Sequence, residues 1–248
     1  MSTLMYHQEI EKALQLSAKG NDRIKTEKLK KYIGTQLKTH GLTSATQKQL
    51  FKTGFSFHSS DYEQTFKIYN AIYKEHTSFE AKNLAFLYLD KNYKHVDVTL
   101  QLELLPHWVK TVDNWAHSDT LSKFLTRLLE NSSTQKSLLA ILKKWNTSTE
   151  LWERRQSLIC LYYYARTKKQ LVDYAFSEKL IANLLEDKEY YVQKAVGWAL
   201  RESYNAYPTQ TYLFIKKNIK QISSTAFTTC LEKMLDKEKQ ALKAKRKQ

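Results

Sequence analysis

A tryptophan and an aspartate stand four residues apart in segment 112–119, VDNWAHSD, and are the first candidates for chemistry. On a helix this spacing places Trp115 and Asp119 on one face, one turn apart. An indole beside a carboxylate suits a surface that stacks on an apolar group and holds a negative charge next to it. The alternative interpretation buries Trp115 in the core and uses Asp119 as the N-cap of a helix over residues 121–129.

Two adjacent arginines begin an apolar helical segment at 151–161, LWERRQSLICL. Neighbouring helical residues point in different directions, so Arg154 and Arg155 are not expected to point into the core together. A planar guanidinium forms paired hydrogen bonds with phosphate oxygens, which makes both arginines candidates for a phosphate contact. The alternative is one arginine in solvent and one in a salt bridge, with Glu150 or Glu153 as its partner.

Cations flank an aromatic residue in segment 190–202, YYVQKAVGWALRE. Lys194, Trp198 and Arg201 follow one another at spacings of four and three, so they share a helix face. Positive charge for phosphates beside a ring for sugar or base is what a nucleic-acid surface uses. A glycine inside a helix costs about 1 kcal/mol relative to alanine. Gly197 therefore predicts the close approach of another helix or of a ligand.

Helices are the elements expected to position these residues. The chain has only five glycines and two prolines among its 248 residues, too few for the many turns of a sheet-rich protein. We expect the first two helices to end at Gly20 and Gly41, and Ser132, Thr147 or Ser148, and Ser177 to serve as N-caps. Apolar residues recur at helical spacing in the segments 10–16, 29–37, 47–51, 62–73, 79–89, 108–115, 121–129, 138–145, 151–164, 171–185, 190–204 and 212–222.

Pairing these helices gives units of about 35 to 40 residues, the length of HEAT-type repeats. The fold class predicted is all-α, a HEAT-like helical-repeat solenoid of about six helix pairs. No linker rich in Pro, Gly or Ser divides the chain. Residues 1–236 are therefore expected to form a single HEAT-like repeat domain, and residues 237–248 a frayed basic tail. A helical bundle without repeats is the alternative.

The charge balance favours a polyanionic partner. Lys and Arg number 40 against 25 Asp and Glu, a formal net charge of +15. Neutralising phosphates with such cations releases condensed counterions, so nucleic acid ranks ahead of an acidic membrane surface. Cys160 and Cys230 are too few for a disulfide scaffold and fit a reducing cytosol. No signal peptide or membrane span is visible, which predicts a cytoplasmic protein.

The three chemical segments together resemble the motifs of the AlkD-like DNA alkylation repair family. Segment 192–202, VQKAVGWALRE, is similar to that family's QKAIGWxLRE signature. The run WERR at 152–155 resembles its WxxR segment, and NWAHSD at 114–119 resembles its WxxxD segment. The three occur in the family's order, and the resemblance is strongest over about residues 79–208. It weakens near the N-terminus, where relatives show an FPFLG-like run and this chain has LKTHG at 37–41.

The resemblance implies a curved stack of HEAT-like repeats that cradles duplex DNA, and hydrolysis of the N-glycosidic bond of N3- and N7-alkylated purines. It implies Asp119 as the catalytic carboxylate, with Trp115 and Trp198 against the sugar. Arg155, which fits the WxxR spacing, would support the site through the DNA backbone. The family is known for leaving the damaged base stacked. No cofactor is implied, and a monomer suits a single solenoid.

Other chemistries find less support in the sequence. Seven scattered histidines and two distant cysteines show no metal-ligand spacing, and no phosphate-binding glycine loop is present. His117 is interpreted as an incidental surface histidine, with a role as a second proton carrier as the alternative. The competing function is a noncatalytic DNA-binding protein, because some relatives with this fold bind DNA without excising bases and a fold alone does not fix function.

Overall fold

The computed structural model describes residues 3–162 and 170–248, and the regular secondary structure in those ranges is helical apart from one isolated bridge. Fourteen α-helices occur there, and the β-type pairing found is one isolated bridge between Lys38 and Ser78. The all-α prediction is confirmed. The chain divides into two compact units, Met1–Leu121 and Ser122–Gln248. None of the described helices combines the length and apolar character that crossing a lipid bilayer requires.

The first unit is built around aromatic residues of the helices α4 (Tyr62–Glu75), α5 (Phe79–Asn92) and α6 (Val98–Trp108). Tyr73 stacks on Trp108 with ring centroids 3.9 Å apart, and both side chains are fully buried. Tyr69 stacks on Tyr88 of α5 at 4.8 Å. This unit contains α1 (Thr3–Ser17), α2 (Arg23–Ile33), α3 (Ser44–Thr53), α4 (Tyr62–Glu75), α5 (Phe79–Asn92), α6 (Val98–Trp108) and the start of α7 (Trp115–Glu130).

The second unit is organised around α11 (Tyr190–Ala206), the longest of its described helices. It packs against α9 (Leu151–Ile159), α12 (Pro208–Lys217) and α13 (Ser224–Cys230). Gly197 of α11 allows the close approach of α13. A Cβ atom at this position would lie 2.7 Å from the carbonyl oxygen of Ala226. Of the two predicted reasons for Gly197, the neighbouring helix is the one observed. The unit contains the rest of α7, α8 (Ser132–Asn146), α9 (Leu151–Ile159), α10 (Tyr174–Asn183), α11 (Tyr190–Ala206), α12 (Pro208–Lys217), α13 (Ser224–Cys230) and α14 (Asp236–Lys247).

Several helix boundaries differ from those predicted. Helix α2 ends at Gly34, whose φ of 71° is the left-handed conformation that glycine favours, and not at Gly41. The predicted helical stretch 108–115 contains the end of α6, a 3-10 turn and the start of α7, while most of α6 was missed. Residues 163–164 of the predicted segment 151–164 lie outside the described residues. The N-cap residues of α8, α9 and α10 are Asn131, Glu150 and Asp173, so the predicted N-caps are wrong.

The basic C-terminal stretch is helix α14 rather than a frayed tail. Its Leu242 is completely buried. The Tyr204 hydroxyl bonds to a carboxylate oxygen of Glu238 at 2.5 Å. The guanidinium of Arg246 lies over the ring of Phe227, 4.4 Å from its centroid. Three separate contacts along its length therefore hold α14 in place.

Candidate functional site

Helix α7 begins at Trp115 because Asn114 caps it. The Oδ1 atom of Asn114 accepts a hydrogen bond from the backbone N–H of His117 at 2.9 Å, the bond typical of an N-cap. Asp119 therefore lies in the second turn of α7, one turn after Trp115. The alternative in which Asp119 caps a helix over 121–129 is wrong. Both Trp115 and Asp119 are half-buried.

The indole of Trp115 is fixed against the end of α2. Its Nε1–H donates to the carbonyl oxygen of Tyr32 at 3.1 Å, and the two rings meet edge to face with centroids 5.5 Å apart. Tyr32 itself is 71% exposed, so this is no core position. Since an indole has one polar hydrogen, Trp115 can offer a ligand its aromatic surface but not a hydrogen bond.

Asp113 ties the residues after α2 to the start of α7. Both of its carboxylate oxygens accept from the hydroxyl of Thr35 at 2.8 Å, and one accepts from the N–H of Gln36 at 2.7 Å. Asn114 adds a third donor at 2.7 Å. Burial raises the pKa of Asp113, but these hydrogen bonds outweigh it and the pKa is lowered overall. Asp113 thereby fixes the chain that places Tyr32 beside Trp115.

His117 is fully buried, so its interpretation as a surface histidine is wrong. Its ring stacks on Phe79 with centroids 4.4 Å apart. One ring nitrogen lies 3.0 Å from the amide of Asn114, and the other lies 3.3 Å from the carbonyl oxygen of Phe79. Burial, aided by the charge of Lys82, lowers the pKa of His117 to about 3. A neutral imidazole that accepts from Asn114 and donates to Phe79 fits these contacts.

The charge that acts on His117 comes from a buried lysine of α5. The ammonium of Lys82 donates to the carbonyl oxygen of Tyr73 at 2.7 Å and lies 4.8 Å from the centroid of that ring. Burial lowers the pKa of Lys82 to about 8, although the carboxylate of Asp113 opposes the shift. Neither Lys82 nor Asp113 was identified from the sequence, because the burial of Lys82 and the bonds of Asp113 to Thr35 and Gln36 arise from tertiary packing.

In the second unit, both guanidinium groups of α9 are engaged by protein atoms. Arg154 pairs with Asp187 at 2.6 Å, rather than with Glu150 or Glu153, and also donates to the carbonyl oxygens of Ser148 and Thr149. Arg155 is buried and donates to the carbonyl oxygen of Tyr191 at 2.8 Å. Arg155 is buried, whereas Arg154 is half-buried in its ion pair, so the two arginines do not point into the core together.

The three side chains predicted to share a face of α11 differ in their exposure and in their ion pairs. Lys194 is exposed, whereas Trp198 and Arg201 are half-buried. Arg201 forms ion pairs with Glu202 at 2.9 Å and with Glu232 at 2.6 Å. Its guanidinium lies 6.0 Å from the centroid of the Trp198 ring. Arg201 thus supports the tryptophan on one side while carboxylates balance its charge.

Among the described residues, the structure reveals no further candidates for metal binding or thiol chemistry. Within residues 3–162 and 170–248, no group of three or more His, Cys, Asp or Glu side chains could hold a metal ion. Cys160 and Cys230 are both buried and unbonded to each other. Burial raises the pKa of the Cys230 thiol to about 12.

The chain belongs to the DNA alkylation repair enzyme family, whose model matches residues 12–234. This membership gives it a role in the repair of alkylation damage, with DNA as its partner. The comparison with curated proteins found no match.

Two solved structures share the fold. A predicted DNA alkylation repair enzyme from Enterococcus faecalis is 18% identical, with a TM-score of 0.69 over 87% of this chain and 97% of that one. AlkD2 from Streptococcus mutans is 21% identical, with a TM-score of 0.53 over 85% of this chain and 97% of that one. At such identities the likeness establishes the fold. It agrees with the family predicted from the three motifs.

Proposed function

We propose that this protein is a DNA glycosylase that hydrolyses the N-glycosidic bond of N3- and N7-alkylated purines in duplex DNA. The observation that carries the proposal is the first two turns of α7. There Trp115 is partly exposed, with its N–H committed to Tyr32, and Asp119 follows one turn later. An aromatic surface beside a carboxylate fits a sugar that becomes positively charged during the reaction.

The substrate's own charge makes a carboxylate sufficient for this chemistry. Alkylation at N3 or N7 gives the purine a formal positive charge, so the base leaves as a neutral molecule and needs no strong general acid. Its departure leaves an oxocarbenium-like sugar. Asp119, ionised, stabilises that cation and orients the water that attacks it, as carboxylates do in glycoside hydrolysis.

The tryptophans contribute through their rings. We propose that Trp115 and Trp198 contact the sugar and stabilise its positive charge by cation–π attraction. The locked N–H of Trp115 favours this role, because a ring held in one orientation needs no rearrangement as charge develops. The damaged base remains stacked in the duplex, and the protein acts from the sugar side.

The cations receive two kinds of role in this proposal. Lys194 is exposed on α11 and contacts a phosphate directly. Arg155 supports the site through the DNA backbone. Arg154 and Arg201 are already paired with carboxylates, so their contribution to DNA binding includes holding α9 and α11 in place.

The test is the release of N7-methylguanine and N3-methyladenine from methylated duplex DNA. The wild type is expected to release both bases. Asp119→Asn is expected to slow release by about 100-fold or more, the usual effect of losing a group that stabilises transition-state charge. Its DNA affinity should be unchanged or higher, because a negative charge near the phosphates is removed. Glu103→Gln, at an exposed position of α6, is the matched control and should excise at the wild-type rate.

Two results would contradict the proposal at different points. Equal rates for the wild type and Asp119→Asn would remove Asp119 from the reaction. No release by either protein, with tight and salt-sensitive DNA binding, would instead make this a noncatalytic DNA-binding member of the family.

A further inference from the structure

Two lysine-rich helix ends meet in the second unit. Lys216, Lys217 and Lys220 lie at and just after the end of α12, and Lys243, Lys245 and Lys247 lie in the last turns of α14; all six are exposed. We refer to these six residues as the C-terminal lysine cluster. The ammonium of Lys220 donates to the carbonyl oxygen of Arg246 at 3.3 Å, and Arg246 donates to the carbonyl oxygen of Ile219 at 3.2 Å. The two ends are therefore joined directly.

The element that carries half of this cluster is firmly anchored. Leu242 of α14 is fully buried, and Arg246 lies over the ring of Phe227. The bond between Tyr204 and Glu238 holds the other end of the helix. The lysines consequently project from a packed surface rather than from a loose terminus.

Helix stability alone does not account for so many cations. One or two cations near a helix C-terminus interact favourably with its dipole. Lys243 and Lys247, however, are separated by four residues, a spacing at which like charges on a helix repel. Neither segment 216–220 nor segment 240–248 contains an acidic residue. A concentrated positive surface of this kind attracts polyanions, because phosphates that bind to it release their condensed counterions.

We propose that the C-terminal lysine cluster binds the phosphate backbone of duplex DNA. This inference uses the partner that the family supplies and is independent of whether the protein excises bases. Lysine binds phosphate as a point charge and reads no base, so the cluster adds affinity without sequence or damage preference. It holds the protein on the duplex and takes no part in the chemical step.

The experiment measures affinity for an undamaged duplex over a series of salt concentrations. One variant replaces Lys243, Lys245 and Lys247 with Gln. Each lost phosphate contact lowers the slope of log affinity against log salt by about 1, so this variant should lose about 3 units of slope. The matched control replaces three other exposed lysines of the same unit with Gln, namely Lys136, Lys144 and Lys179. It removes the same charge and should retain nearly the whole slope.

A second variant guards against a folding defect in α14. Replacing Lys216, Lys217 and Lys220 with Gln leaves α14 untouched and should lower the slope by a similar amount. Excision by either variant under saturating DNA at low salt should match the wild type. Unchanged slopes in both cluster variants, or an equal loss in the control, would overturn the inference. The inference would also be overturned if the wild type bound a matched RNA duplex more tightly than the DNA duplex and both cluster variants lost this preference. If the wild type released no base, the proposed glycosylase activity would be contradicted. The slopes of log affinity against log salt could still be measured and would still test the cluster.

Discussion

At the scale of single residues, the surroundings of Trp115 depend on one fully buried side chain, His117, and one partly buried side chain, Asp113. His117 connects the first turn of α7 to Phe79 at the start of α5, and Asp113 connects it to Thr35. Each side chain makes its contacts in only one charge state. His117 is buried as a neutral ring, and Asp113 accepts three donors as a carboxylate. The orientation of the candidate site is therefore linked to pH.

The pKa of about 3 for His117 predicts acid sensitivity with a definite sign. Between this value and the ordinary pKa of 6.5, the unfolded chain binds a proton that the folded protein does not. The free energy of unfolding therefore falls as pH falls through this window. From about pH 7 to about pH 4 the loss due to His117 should be about 3 kcal/mol. Denaturant titrations at several pH values measure it.

His117→Gln is expected to flatten this pH dependence, because the replacement does not titrate. His107→Gln, on the exposed side of α6, is the control and should keep the wild-type pH dependence. His76, whose pKa burial lowers to about 4, acts in the same direction, so a residual slope should remain. An identical pH dependence for His117→Gln and the wild type would show that His117 titrates alike in both states.

Local spacing in the sequence picks out the candidate residues more readily than the residues that support them. Trp115, Asp119 and Lys194 follow from helical spacing, which is a local property. Asp113 could not be found this way, because its partners Thr35 and Gln36 lie 78 and 77 residues away. Asn114 could have been recognised as an N-cap from the sequence, because the backbone N–H that donates to it belongs to a residue only three positions later.

At the scale of elements, α11 shows how a small residue determines packing. The approach of α13 at Gly197 depends on the missing side chain, since a Cβ atom there would meet the Ala226 carbonyl at 2.7 Å and the Thr229 Cβ at 2.9 Å. Both are atoms that cannot rotate away. Trp198 is the next residue, so the position of α11 also sets where this tryptophan lies.

Gly197→Ala should destabilise the protein despite the better helix propensity of alanine. The gain is about 1 kcal/mol, while overpacking a close contact costs about 1 to 3 kcal/mol or more when the backbone must shift. We expect a lower thermal midpoint and weaker excision, read by thermal denaturation and base release. Lys194→Ala, at an exposed position of the same helix, should leave the midpoint unchanged. A midpoint for Gly197→Ala at or above that of the wild type would contradict the close approach.

Helix interiors were predictable and helix ends were less so. The predicted segments 62–73 and 190–204 lie inside α4 and α11, because apolar periodicity marks the buried face directly. The end of α2 was predicted at Gly41 instead of Gly34, because both are glycines and either could end a helix. In the structure both have a positive φ. The choice between them depends on Asp113, which binds the residues after Gly34, and on Glu80, which accepts from the backbone N–H of His40 and Leu42.

At the scale of the whole molecule, the net charge of +15 and the candidate site have separate tasks. In our proposals Lys194 and the C-terminal lysine cluster supply attraction to any duplex, since each neutralised phosphate releases counterions whatever the bases are. The recognition of an alkylated purine that we propose requires contacts at the nucleotide itself. The two contributions differ in their response to salt, and this difference allows them to be measured apart.

Asp119→Asn allows these two contributions to be measured separately, because it should bind damaged DNA while excising the base very slowly. Its affinity for undamaged and for methylated duplex should each fall about 1,000-fold or more between about 50 and 200 mM salt, as expected for about six or more phosphate contacts. The ratio of the two affinities should stay nearly constant, because contacts to the damaged nucleotide release few ions. Fluorescence anisotropy with matched duplexes gives both curves. A ratio that collapses with salt would mean that damage is recognised mainly through the phosphates, and a flat dependence for both duplexes would remove the phosphate-tracking surface altogether.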